Sequence, residues 1–175
     1  RQRQMCIRDS AAAAPAAASL EPPRCVPTVR LSCLINATNA CLKERTVFPP
    51  ELLSVAIGTL LELEPIPRLT LRTLLQALIY HPKLADFALD ALGVVARRAP
   101  WGAPHGAELW EGFARCAKKL LPKSLGVLLR APATKLAPLL DEQPELRAQL
   151  LRFITEQRPA DLDPAVAALL ESAAL

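Results

Sequence analysis

Proline sets the limits on what this chain can become. Seventeen prolines are spread through 175 residues, against only six glycines. Proline stops a helix or a central strand but fits the first helical turn, where its missing N–H would have no partner in any case. In this chain prolines repeatedly stand at the head of apolar stretches: Pro49-Pro50 before "ELLSVAIGTLLE", Pro132 before "ATKLAPLLDE", Pro144 before "ELRAQLLRFITEQ" and Pro164 before "AVAALLE". The pattern predicts short helices joined by proline-bearing turns.

The apolar residues agree. They make up 51% of the chain while aromatics make up only 4%, so the core must come from Leu, Ala, Val and Ile. Ala and Leu are strong helix formers. Period-two runs of β-branched residues are almost absent, which leaves strands without support. About nine segments of ten to seventeen residues can be drawn. They run from Val29 to about Lys43, from Pro50 to Leu63, from Arg68 to Tyr80, from Pro82 to Arg98 and from Glu108 to Leu121. Three more start at Pro122, Pro132 and Pro144, and a last one follows Pro164. Each has one apolar stripe, which no single helix can bury alone. The expected fold is all-α: a HEAT-like helical stack, either an α-solenoid or an irregular antiparallel bundle. No stretch reaches the roughly 18 to 20 apolar residues that span a bilayer. The longest apolar patch, Leu69 to Tyr80, is interrupted by Thr70, Arg72, Thr73 and Gln76.

The two ends of the chain differ. Residues 29–175 carry the helical pattern, whereas residues 11–28 form an Ala/Pro-rich linker of low complexity. The opening "RQRQMCIRDS" fits neither. It could pass for a targeting peptide or a basic arm. However, the DNA string cgg-cag-cgt-cag-atg-tgt-ata-aga-gac-ag, a transposase adapter of sequencing libraries, translates to the same order of residues. Read so, Arg1 to Ser10 is adapter-derived and unpacked, Met5 is no start codon, and the chain is a fragment. The formal net charge is +4, and it falls to +2 without those ten residues. That is far from the basic footprint of a nucleic-acid domain.

Few residues invite chemistry. Cys6, Cys25, Cys33, Cys41 and Cys116 form no CxxC pair, and neither His81 nor His105 lies near one of them in sequence. Zinc ligation is therefore not expected. Cys33 and Cys116 fall in helical apolar patterns and read as core thiols, reduced in an intracellular compartment. His81 precedes a proline at a helix end and His105 lies in a loop, so both read as solvated or capping residues before general bases. Asp141, Glu142 and Glu145 gather at a helix junction, where the helix dipole accounts for Glu145. No nucleotide, P-loop or hydrolase motif is found. No catalytic residue, cofactor, metal or small-molecule ligand is expected.

The basic pairs Arg97-Arg98 and Lys118-Lys119, with Lys123 beyond, are the candidate partner contacts. Trp110 and Phe113 share a helix face with Leu109, Ala117 and Leu120 and read first as core, then as a protein anchor, then as an RNA-stacking pair.

One ordered series of segments adds a resemblance. "LWEGFARCAKKLLPKSLGVLLRAP", with "LRTLLQAL" and Tyr80-His81-Pro82 upstream and Leu136 and "PELRAQLL" downstream, is similar to the C-terminal region of the symplekin family. "VFPPELLSVAIGTLLELEPIP" fits the preceding helix, so the likeness runs roughly from Val29 to Leu170. One departure is that "GAPHGAEL", between Trp101 and Trp110, looks longer and looser than the family's link. The resemblance implies a noncatalytic scaffold of pre-mRNA 3′-end cleavage and polyadenylation. Its partners would be the endonuclease and pseudonuclease subunits of the cleavage and polyadenylation specificity factor, and the cleavage stimulation factor. It implies a nuclear location, with a cytoplasmic or cell-junction pool as the second choice. An RNA-binding helical module and a generic HEAT-like adaptor are the alternatives.

Overall fold

The computed structural model describes residues 29–157, 159 and 162–172; the readings made for residues 1–28 lie outside them. Among the described residues there are nine α-helices and no strand. They are α1 (Leu31–Lys43), α2 (Pro50–Glu62), α3 (Thr70–Tyr80), α4 (Ala85–Arg98), α5 (Gly106–Lys119), α6 (Leu125–Leu128), α7 (Ala133–Glu142), α8 (Pro144–Gln157) and α9 (Pro164–Glu171). None is long and apolar enough to cross a membrane.

The helices start where local chemistry places them. Pro50 and Pro164 occupy first-turn positions, and Asp163 caps α9 by accepting a hydrogen bond from the Ala165 N–H at 2.9 Å. Basic residues fill the last turns of α1, α4 and α5, where the dipole favours them. Three expected segments are shorter than the sequence pattern suggests. Pro82 opens a single 3-10 turn, Pro82–Leu84, rather than the first turn of α4. His81, held away from the α region by the following proline, forces the tighter i to i−3 bond from Leu84 N–H to His81 O (3.0 Å). The segment after Pro122 yields only the four-residue α6, and α9 has eight residues.

Packing is between alternate helices. α1 lies on α3 and α3 on α5; α2 lies on α4, α4 on α6 and α6 on α8; α7 lies on α9. Sequence neighbours such as α2 and α3, α4 and α5, and α7 and α8 pack as well. Helices joined in this way make an all-α stack; α1, α3 and α5 form one row and α2, α4, α6 and α8 another, while α7 and α9 pack on each other and on α8. The core is leucine and alanine with one aromatic, Phe113, at its centre. Helices α3 and α5 approach closely at Gly112. A Cβ placed on Gly112 would come within 2.8 Å of Leu71 Cβ, so glycine is what lets these two helices meet. Beside it the Cys116 Sγ lies 3.5 Å from Leu71 O.

The cysteine expectation needs one correction. Cys116 is fully buried, but Cys33 is exposed, as is Cys41. Among the described helices α1 is the first of its row, and its more buried side is the line of Leu31, Ile35, Thr38 and Leu42. Cys33, Val29 and Leu34 fall off that line.

Candidate interaction surfaces

The four basic residues do not form one patch. α4 and α5 run antiparallel, because the Lys123 ammonium, just beyond α5, meets the Asp86 carboxylate at the start of α4 (2.9 Å). Lys118 and Lys119 therefore sit at that end. Arg97 and Arg98 end the 14-residue α4 about 20 Å away. Arg97 and Lys119 are exposed, and Lys118 is half-buried.

Arg98 has an internal partner set. Its guanidinium donates to Leu61 O, to Leu63 O (3.2 Å) and to the Glu64 carboxylate (2.7 Å). Leu61 and Leu63 carry carbonyls left over at the C-terminal end of α2, so a cation there satisfies orphan acceptors and the dipole together. Arg147 repeats the device on α9, donating to Leu169 O at 2.9 Å. Sequence reasoning could not have found either role, since the partners are 34–37 and 22 positions away.

The aromatic residues meet one another. Trp101, Trp110 and Phe113 form a triangle with ring centroids 5.2 to 5.5 Å apart, two of the contacts edge-to-face. Phe113 is fully buried and both tryptophans are half-buried. Core packing is thus the structural role of this stripe. The turn between the tryptophans is held at both ends: Trp101 packs into the triangle, and Gly106 lies so close that a Cβ there would be 2.2 Å from Trp101 O. The bases of a nucleic acid would need such rings in the open beside a basic groove. Here the rings cover each other and the cations are dispersed.

The histidines are not paired for catalysis. His105 is exposed and precedes α5. His81, read as solvated or capping, is buried. Its backbone N–H does close α3 on Ala77 O (2.7 Å), but its Nε2 meets no hydrogen-bond partner. Burial pushes the Cys116 thiol up to about 12, so it stays protonated and unreactive at neutral pH. Among the described residues no group of His, Cys, Asp and Glu side chains is arranged to hold a metal ion.

An open groove of about 540 Å³ lies between the α5–α6 turn and α8. Leu121, Pro122, Leu125 and Phe153 give it an apolar floor, and Lys123, Gln149, Arg152 and Glu156 form its rim. Recesses of about 300 and 270 Å³ adjoin it, sharing Leu121 and Gln149 on one side and Phe153 on the other. The cationic rim residues already have partners: Lys123 with Asp86, and Arg152 with Glu156 at 2.6 Å. A groove with an apolar floor and a largely neutralised rim suits a peptide segment better than a polyanion. No motif marks it in the sequence, because its walls come from helices that only the stack brings together.

A family model described as "Symplekin tight junction protein C terminal" matches residues 18–143, most of the chain. The match includes α1 to α7 and stops one residue before α8, so the likeness seen in "PELRAQLL" falls beyond it. No solved structure matches the chain.

Proposed function

The chain belongs to the symplekin family through its C-terminal domain, and from that premise we propose that it is a noncatalytic scaffold of pre-mRNA 3′-end cleavage and polyadenylation. The observation that carries this reading is the family match lying over a stack of α-helices. Such a fold offers long helical surfaces and grooves, and it places partners side by side without chemistry of its own. A scaffold acts by raising the effective concentration of the proteins that it holds. In this reading the partners are the endonuclease and pseudonuclease subunits of the cleavage and polyadenylation specificity factor and the cleavage stimulation factor, and the site of action is the nucleus. The groove beside α8 supplies one seat. Arg97, Lys118 and Lys119 act as separate rim charges that tune association rate more than affinity. The family's description also names the tight junction, which supports a second pool of the protein there.

The test is co-purification of the tagged chain with the C-terminal domains of the nuclease pair. A stable complex at moderate salt is expected. Separate elution of folded components would overturn the reading. A mobility shift with RNA at low salt that collapses as salt rises would favour the RNA-binding alternative instead.

A further inference from the structure

Among the described residues, every large hydrophobic side chain that stands exposed lies between Val29 and Ile79. The densest group is on α2. Its inner stripe, Leu53, Ile57 and Leu61, is buried in the core. Its outer side carries a second stripe, which the C-cap residue Leu63 continues: Leu52 is 49% exposed, Val55 68% and Leu63 48%, with Ala56 and Thr59 exposed between them. The spacing i, i+3, i+4 and i+7 places the four helical residues on one arc of about 100°, and Leu63 follows at the end of the helix. No charged residue occurs from Leu52 to Leu61. The two hydroxyls in that run turn back on their own helix, Ser54 to Glu51 O (2.8 Å) and Thr59 to Val55 O (3.1 Å). The outer face therefore offers no free side-chain polar group between Glu51 and Glu62. A helix that is apolar all round belongs inside a larger packing. α2 also heads its row: α4 lies on it as α6 lies on α4, and among the described helices no earlier helix of that row precedes it.

The charges at the ends of this face select the occupant. Glu51 and Glu62 are exposed, and neither makes an ion pair with a described residue. Glu51 suits the first turn, but Glu62 sits in the last turn, where the dipole disfavours a carboxylate. Nearby Arg98 is already bonded to two carbonyls and Glu64. A second copy of this chain, paired α2 to α2 in either direction, would set carboxylate against carboxylate. We propose that this face, Leu52–Val55–Ala56–Thr59–Leu63 with Glu51 and Glu62 beside it, seats an amphipathic helix of a partner protein whose apolar stripe is bordered by lysine or arginine. Its use in the cell rests on the scaffold reading; the binding itself does not.

The probes are two synthetic helical peptides of about 14 residues, matched in length to α2. They share one leucine stripe and differ in ending with lysines or with glutamates. Fluorescence anisotropy with the full chain is expected to show the lysine peptide binding at least about tenfold more tightly, a difference of the size that a few interface residues supply. Val55→Glu, at an exposed position, should leave the melting temperature unchanged and remove that binding. The double change Glu51→Lys with Glu62→Lys should invert the preference between peptides. The proposal is overturned if neither peptide binds, if Val55→Glu leaves binding intact, or if charge reversal leaves the preference unaltered. It is also overturned if the chain sediments as a dimer that Val55→Glu dissociates, since a second copy is then the occupant. Capture of the nuclease pair is scored separately: its failure removes the scaffold reading, while the peptides still decide the fate of the α2 face.

Discussion

Helices α2 and α5 differ by one residue in length, and each buries a full apolar stripe, yet their outer faces are opposites. On α5, behind Leu109, Phe113, Cys116 and Ala117, the solvent side carries Glu108, Glu111, Arg115 and Lys119, with an Arg115–Glu111 ion pair one turn apart. On α2, behind Leu53, Ile57 and Leu61, the solvent side carries Leu52 and Val55, with Leu63 exposed at the C-cap. Folding of this chain accounts for everything on α5, since one stripe meets α3 and α4 and the rest meets water. It accounts for only half of α2. Apolar surface left in water contributes nothing to the fold and invites association. The contrast therefore separates residues that hold the stack together from residues whose reason lies outside it.

Substitutions can break this contrast or sharpen it. On the inner stripes the two helices should behave alike: Phe113→Ala is expected to cost about 3–5 kcal/mol and Ile57→Ala about 2–5 kcal/mol in urea unfolding. On the outer faces Val55→Ala and Glu111→Ala should stay within about 0.5 kcal/mol. A large loss at Val55 would show that its face is packed in the folded chain, and the contrast would fall. The glycines should split in sign. Gly112→Ala forces a methyl against Leu71 Cβ and is expected to cost about 1–3 kcal/mol. Gly58, on α2, has nothing within 4 Å of an added Cβ. There alanine should gain about 0.5–1 kcal/mol from helix propensity alone.

The adjacent arginines should also separate. Arg98→Ala leaves two carbonyls at the end of α2 unpaired and should cost about 1–2 kcal/mol. Most of that comes from the carbonyls, because the Glu64 carboxylate is largely exposed. Arg97→Ala should cost less than about 0.5 kcal/mol. Equal effects would mean that the capping bonds contribute nothing.

A pH dependence is also carried by α5, outside the neutral range. The Cys116 thiol ionises near 9 when unfolded and is pushed up to about 12 by burial in the fold. Below pH 9 its contribution is fully present. Above that the unfolded state loses its proton first, so stability should fall by about 1.4 kcal/mol for each pH unit until about 12. Cys116→Ala should flatten this slope relative to the parent, although it lowers stability throughout. In the native protein iodoacetamide should alkylate Cys33 and Cys41 and spare Cys116, as read by peptide mass spectrometry.

Much of this was legible beforehand for a local reason. Proline, cap and dipole effects act within one turn, so Pro50, Pro144 and Pro164 mark helix starts without reference to the rest of the chain. Cys116 could be read as buried because its neighbours at i−3 and i+1, Phe113 and Ala117, share its stripe. Cys33 could not, because a stripe shows which face of a helix is apolar but not how much of it a neighbour covers. Arg98 looked like a surface cation for a similar reason: its acceptors belong to the end of another helix.

The sequence by itself determined the helical class, the approximate position of most helices and the likeness to one family, since periodicity and turn residues are properties of adjacent positions. The second stripe on α2 was also written there, as ten residues without a charge, but it could not be told from core. Only the tertiary structure decided that this stripe remains open, that the tryptophans close on Phe113, and that the α5–α6 turn and α8 make a groove. Those outcomes depend on which surfaces the stack brings together, and burial is a property of pairs of elements, not of one.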